Sequence, residues 1–335
     1  MALDVKVKID LTKPIGGIGL GIPLILEENA AKEVAYTECK TLTEVITAGF
    51  ADTTKVYKTA NTMFMQDNPP EKIAVCATTD PTAAWLNDVV NVSKDWRQLV
   101  VLTNSETATA IKDIAIKIET FSNKMYFADL AAVDTTTLDL NGFNRTVVFY
   151  CDATEDYPSP VSALVGATAG LSVGSFTYKN FPLKGISPQA LSDTQIDAIH
   201  AKGGFTFVTK AGDNVTTEGK TVGGEYIDII DSKDYIISNL EYQTQKTLNT
   251  MKKIPYDDTG IAILESVAVN VMRDAYNKGI IATNTDGSAA YTVDYAKRED
   301  TEASDRAIRK YVGGQFAFAL AGAVHEVEIT GEIII

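Results

Sequence analysis

Cysteine, histidine and tryptophan are scarce in this 335-residue sequence, at three, two and two residues. Cys39, Cys76 and Cys151 show no CxxC spacing, which argues against a disulfide framework or a zinc site. They read as small buried hydrophobes of a reducing compartment. With only His200 and His325 available, histidine-based catalysis has few places to occur, and neither a metal nor a cofactor is expected. Positive charge is also short. Thirty Lys and Arg face 44 Asp and Glu, a net charge of −14, and no Lys or Arg follows Lys310. Nucleic-acid binding needs clustered basic residues, so it is not expected. Long apolar runs are missing as well. Ile15–Leu26 is broken by glycines and Pro23, and Phe316–Val324 is short, whereas a spanning helix needs about 20 apolar residues. Membrane insertion is therefore not expected. Asp4 and Asp10 interrupt the basic start made by Lys6, Lys8 and Lys13, and the stretch alternates like a strand, unlike a signal peptide.

Apolar residues make up 45% of the chain and charged residues 22%, the balance of a globular protein with room for two or three domains. Residues 4–9 (Asp-Val-Lys-Val-Lys-Ile) alternate apolar with charged, the pattern of a strand with one wet face. Pro14, Gly16 and Gly17 follow as a hinge, and residues 1–20 together read as an N-terminal arm. Residues 21–50, two short apolar stretches and a small helix over Leu42–Ala48, read as a lead-in region. A β/α alternation comes next. Ile73–Ala77, Leu99–Leu102, Met125–Phe127 and Val147–Tyr150 have strand length and strand composition. Helices are predicted over 53–66, after Pro81, and after Asn104-Ser105, where Ile111, Ile114, Ala115 and Ile118 share one face. Strands spaced by single helices imply a largely parallel sheet, so residues 21–205 are expected to form an α/β domain.

Pro158–Leu171 reads as a small-residue helix, Phe176–Tyr178 as a strand, and Leu191–Ala201 as a helix ended by Gly203-Gly204. Phe205–Lys220 reads as a hairpin turning at Gly212-Asp213-Asn214. Two long helices are predicted over 226–251 and, after Asp257-Asp258-Thr259, up to Gly279. The second carries Leu264, Val267, Ala268, Val271, Met272 and Ala275 as one stripe. Strand at 291–295, short helix at 302–310 and long strand at 314–335 complete the chain. The change of texture near 205 sets an α+β domain at 206–322, followed by a C-terminal arm strand at 323–335.

Three motifs suggest chemistry and fail on context. Gly16-Gly17-Ile18-Gly19-Leu20-Gly21 lacks the last dinucleotide-fold glycine, since Ile22 stands there, and the Lys-Ser/Thr pair of a phosphate loop. Asn284–Gly287 resembles a calcium loop, but Ala282 and Val293 occupy its end positions, so it reads as a turn. Gly170-Leu171-Ser172-Val173-Gly174 matches the G-x-S-x-G nucleophile elbow, with His200 and His325 downstream. The elbow needs a strand before the serine and a helix after it, and the sequence predicts the reverse order. A serine hydrolase using Ser172 is thus the weaker alternative, and a monomeric binding module is a third.

The two ends are more informative. Glu326-Val-Glu-Ile329 alternates like residues 4–9, with Ile333–Ile335 beyond it. Lys6 and Lys8 mark one strand and Glu326 and Glu328 the other, and facing opposite charges favour pairing by about 0.2–1 kcal/mol per pair. Pairing of the two ends within one subunit is the ordinary expectation. A strand on a Gly-Pro hinge is equally what exchange between subunits requires. Candidate exchange residues are Val5, Lys6, Val7, Lys8, Ile9, Glu326, Val327, Glu328, Ile329 and Ile333.

The C-terminal third resembles the sheath proteins of contractile injection machines, namely phage tails and R-type bacteriocins. Gly224–Asp228, Asp234-Tyr-Ile236, Ile254–Ala262 and Leu320–Ile329 carry the resemblance, and Tyr178–Ile186 resembles the linker between that family's core domains. The resemblance implies a non-enzymatic subunit that polymerises helically around a tail tube. It also implies contact with baseplate and tail terminator proteins, and assembly in a bacterial cytoplasm into a virion tail or tailocin particle. It further implies a subtilisin-like α/β middle domain without protease chemistry, and a C-terminal α+β domain completed by arm strands from neighbouring subunits.

Overall fold

The computed structural model describes residues 21–29, 31–79, 95–102, 108–131, 142–151 and 159–330. The candidate arm residues Val5–Ile9, the hinge residues Pro14, Gly16 and Gly17, the helix after Pro81, and Ile333 lie outside the described residues.

The β/α half is a seven-stranded sheet built from β1 (Ile22–Glu28), β2 (Val34–Cys39), β3 (Ile73–Thr78), β4 (Trp96–Leu102), β5 (Met125–Ala131), β6 (Thr146–Cys151) and β7 (Gly204–Phe205). Their order across the sheet is β2-β3-β1-β4-β5-β6-β7, parallel throughout except for β2 at one edge. The stretch expected as a lead-in region is therefore structural: β1 lies between β3 and β4, near the middle of the sheet. Its run Ile22-Pro-Leu-Ile-Leu26 is a continuous apolar strand, the signature of burial on both faces.

Alternation sorts the strand residues onto two faces. Ile25, Ile73, Val75, Val147 and Phe149 join the core on one side, whereas Leu24, Leu26, Ala74, Cys76, Val148 and Tyr150 join the other. Helices α1 (Leu42–Thr47), α2 (Lys55–Phe64) and α4 (Pro160–Thr168) serve the first face; α3 (Ala108–Ile118) and α5 (Asp193–His200) serve the second. Every residue of α4 is buried. Gly166 is required there, because a Cβ would come within 2.4 Å of Met63 Cα on α2. All three cysteines are buried and none is in a disulfide.

Past Phe205 the chain forms the hairpin β8 (Phe207–Lys210) and β9 (Asp213–Thr216), then helices α6 (Ile227–Thr250) and α7 (Asp258–Asn277). The hairpin turns at Ala211-Gly212, both at positive φ, as a two-residue loop needs; the expected turn lay one residue too far along. Gly279, at φ +78, ends α7 as expected. Strands β10 (Tyr291–Tyr295) and β11 (Gly314–Phe318) pair antiparallel around the short helix α8 (Ala303–Ala307). Tyr235, Ile236, Met272, Ala275, Ile280 and Ile281 form a third core under them. The boundary near 205 is not a clean cut, since Phe207, Ile227 and Ile230 belong to the first core.

Two strand expectations fail. Phe176–Tyr178 is a turn segment, folded around ring contacts of Phe176 with Tyr178 and Phe181, with Asn180 at φ 56. The strand expected over 314–335 stops at Phe318. Residues 319–330 have an alternating pattern but, among the described residues, no sheet neighbour along their length beyond an isolated bridge between Leu320 and Ile281.

Candidate functional site

The α/β half and the long helices are joined by buried charge. Arg97 on β4 is only 2% exposed, in a strand whose other residues except Gln98 are apolar. Its guanidinium donates to Asp234 and, at 2.5 Å, to Asp231 Oδ1. Arg145, just before β6, donates to both oxygens of Asp234 at 2.8 and 3.0 Å. The hydroxyl of Tyr178 donates to Asp231 Oδ2 at 2.9 Å. Asp231 and Asp234 stand three residues apart and so share one face of α6. Burial pushes both carboxyls up; the two guanidiniums outweigh it at Asp234, whose pKa lies below the ordinary value. At Asp231 burial prevails over Arg97 and Tyr178, and its pKa is raised. Nearby, burial lowers the Lys124 ammonium to about 8; it donates to the Trp96 carbonyl and lies 4.6 Å from the Trp96 ring.

Sequence reading missed this network. The available signal was an arginine inside a largely apolar strand, and two aspartates on the inward side of a helix.

A cleft of about 630 Å³ opens beside the network, bounded by Gly21, Arg97, Gln98, Ser172, Tyr178 and the α6 residues Tyr235 to Lys246. Ser172 of the elbow motif is there, but no histidine lines the cleft. His200 lies 2.9 Å from Thr217 Oγ1, and His325 lies 2.9 Å from Thr177 Oγ1. Burial lowers the pKa of His200. The serine follows helix α4 and sits in a turn closed by Ser175 N–H to its carbonyl. A helix precedes the serine and an irregular segment follows it, so the strand-then-helix context that an elbow needs is absent. Among the described residues no cluster of three His, Cys, Asp or Glu could hold a metal, and no helix is long and apolar enough to cross a membrane.

The second feature is an unfinished surface. Among the described residues the β10–β11 pair is a sheet of two strands; β10 has no fully buried residue, and β11 is exposed at four of five positions. Phe316 is 42% exposed on it. The segment 319–330 continues from β11, with Val327 and Ile329 at 74% and 87% exposure. Of the candidate exchange residues, Glu326, Val327, Glu328 and Ile329 are thus on the surface and outside any strand. Glu326 reaches Lys179 Nζ at 3.3 Å.

Comparison with known proteins adds to this geometry. Residues 227–333 match the family model of the E217 tail sheath protein gp31-like C-terminal domain. No curated protein is similar enough in sequence to count as a relative. Over almost its whole length the chain shares its fold with sheath proteins of solved structure. It is similar to the helical sheath of the anti-feeding prophage in its contracted state, at 16% identity and a TM-score of 0.73 over 98% of both chains. The sheath complex of the extracellular contractile injection system PVC gives 12% identity and a TM-score of 0.73, over 98% of this chain and 96% of that one. A sheath tail protein from Desulfitobacterium hafniense gives 11% and 0.61, over 94% and 99%. The resemblance read from the C-terminal third is borne out.

Proposed function

We propose that the chain is a structural subunit of a contractile tail sheath, without enzymatic activity. The carrying observation is the β10–β11 sheet, which has two strands among the described residues and is continued by an exposed, alternating C-terminal segment. Isolated two-stranded sheets are marginal in water, and an added strand supplies the missing main-chain hydrogen bonds. Residues Val5–Ile9 from one neighbour and 326–335 from another would complete it, with Pro14, Gly16 and Gly17 as the flexible root of the first arm. In this reading residues 21–205 are the middle domain, of subtilisin-like kind, and 206–322 the C-terminal domain. The polymer winds helically around a tail tube, between baseplate and tail terminator, in a virion tail or tailocin particle assembled in the host cytoplasm.

Contraction then requires no catalyst. The extended polymer is metastable, and subunits rotate as rigid bodies about retained arm contacts to bury more surface between them. The Arg97–Asp231–Asp234–Arg145 network supports rigid-body motion, because it ties the two halves of the subunit together inside the core. Deleting residues 326–335, or residues 1–12, should leave a folded monomer with unchanged thermal unfolding that forms no tubes in negative-stain micrographs at concentrations where the full chain does. Tubes formed by either truncation would overturn strand exchange.

A further inference from the structure

Strand exchange explains why the C-terminal segment is exposed, but not why one of its residues is held. Leu320 still bridges to Ile281, and the Ala321 N–H donates to the Ile280 carbonyl at 2.9 Å. From 321 to 330 every residue is exposed except His325, which is half-buried. Its Nε2 lies 2.9 Å from Thr177 Oγ1, and its ring meets that of Tyr226 edge to face, with centroids 5.0 Å apart. Glu326, next along, reaches Lys179, which is itself buried and lies 3.7 Å from Glu218. Thr177 and Lys179 belong to the segment after α4, and Tyr226 is the residue before α6. Two stretches remote in sequence therefore converge on this one histidine, at the root of the segment.

Two functions are open to such a pin. A storage strap would cover the apolar side chains of the segment until a partner displaced it. Here Val324, Val327 and Ile329 are 82%, 74% and 87% exposed, so nothing is stored. A presenting pin fixes the root and leaves the outer residues free for a partner. Ordering a residue's backbone costs about 1–2 kcal/mol, so a root ordered in the monomer reduces what association must supply.

We propose that His325 is a positioning residue for self-association: held by Thr177 and Tyr226, it fixes the root of the C-terminal segment so that residues 326–330 are presented to a second copy of the chain. The inference rests on the sheath reading and adds to it the residue that aims the arm.

The test uses the full chain with spin labels on Thr194→Cys, exposed on α5, and Thr330→Cys, the native thiols being buried. The label-to-label distance distribution is measured in dilute monomer, and the critical concentration for polymer by sedimentation. The wild-type background should give one narrow distribution. His325→Ala should at least double its width and raise the critical concentration about tenfold, or about 1.4 kcal/mol, with thermal unfolding unchanged. His325→Gln, which can still hydrogen-bond Thr177, should recover much of both. A distribution already broad in wild type, or unchanged in His325→Ala, overturns the pin. A broadened distribution with an unchanged critical concentration overturns its role in association. A narrow wild-type distribution in a chain that never polymerises overturns the sheath reading, and the second copy with it, while the pin itself stands.

Discussion

The molecule contains two kinds of sheet. In the seven-stranded one, β3 and β6 are buried at every residue, helices cover both faces, and the chain completes its own core. Of the two two-stranded sheets, β8–β9 buries Phe207, Val208 and Thr216, whereas in the β10–β11 sheet no residue is fully buried. Both kinds carry the strand residues that fold alone requires, so the difference is one of supply. The seven-stranded sheet is closed by elements of its own chain; among the described residues the β10–β11 sheet gains no further strand, and under the proposed reading neighbouring subunits supply it. Charge divides the same way: Arg97, Asp231 and Asp234 are matched inside, whereas Glu328 and the apolar residues around it face water.

The largest effect should come from opening the closed half. Arg97→Ala leaves Asp231 with no guanidinium and Asp234 with only Arg145, both carboxylates still buried. Breaking a buried pair from one side typically costs about 3–5 kcal/mol. Urea denaturation of the monomer should register a loss of that size. A loss below about 1 kcal/mol would mean that the network does not hold the halves together.

A smaller effect lies farther along α6, on the face that carries Asp231 and Asp234. Glu241 is 2% exposed, neither carboxylate oxygen has a hydrogen-bond partner, and burial raises its pKa from 4.5 to about 7. The folded state therefore binds its proton more tightly than the unfolded one. The stability this group contributes is full below about pH 4.5 and is lost as pH rises to about 7. At about 1.4 kcal/mol per pKa unit, the loss is of the order of 3 kcal/mol. Glu241→Gln should match wild type at pH 4 and exceed it by about that amount at pH 8, because an amide cannot ionise. Parallel stability–pH curves for the two proteins would show that Glu241 ionises without penalty in the fold.

How far the sequence was legible follows from the same division. Strands β3 to β6 and helices α2, α3, α6 and α7 were readable because their own residues supply the periodicity and the burial. β1 was misjudged: a continuous apolar run with proline states burial but not position, and only the tertiary order puts it between β3 and β4. Phe176–Tyr178 failed because an aromatic run in a turn has strand composition. Residues 319–330 failed instructively. Their alternation is real, but among the described residues they join no sheet. The junction network stayed hidden because Arg97 and its aspartates are more than 130 residues apart, and only the fold brings them together.

The smallest effect concerns the open half and its charge pattern. If Lys6 and Lys8 face Glu326 and Glu328 in the completed sheet, each cross-strand pair contributes about 0.2–1 kcal/mol. Lys6→Glu with Lys8→Glu turns attraction into repulsion on an exposed face, where salt screens charge over about 10 Å at 0.1 M. The critical concentration for polymer should rise several-fold at 20 mM salt and converge on the wild-type value at about 1 M, where the screening length is about 3 Å. Adding Glu326→Lys and Glu328→Lys to the same chain should restore low-salt assembly. If the double reversal has no effect at low salt, the ends do not meet through these charges. Exchange would then rest on main-chain hydrogen bonds and on Val5, Val7, Val327 and Ile329 alone.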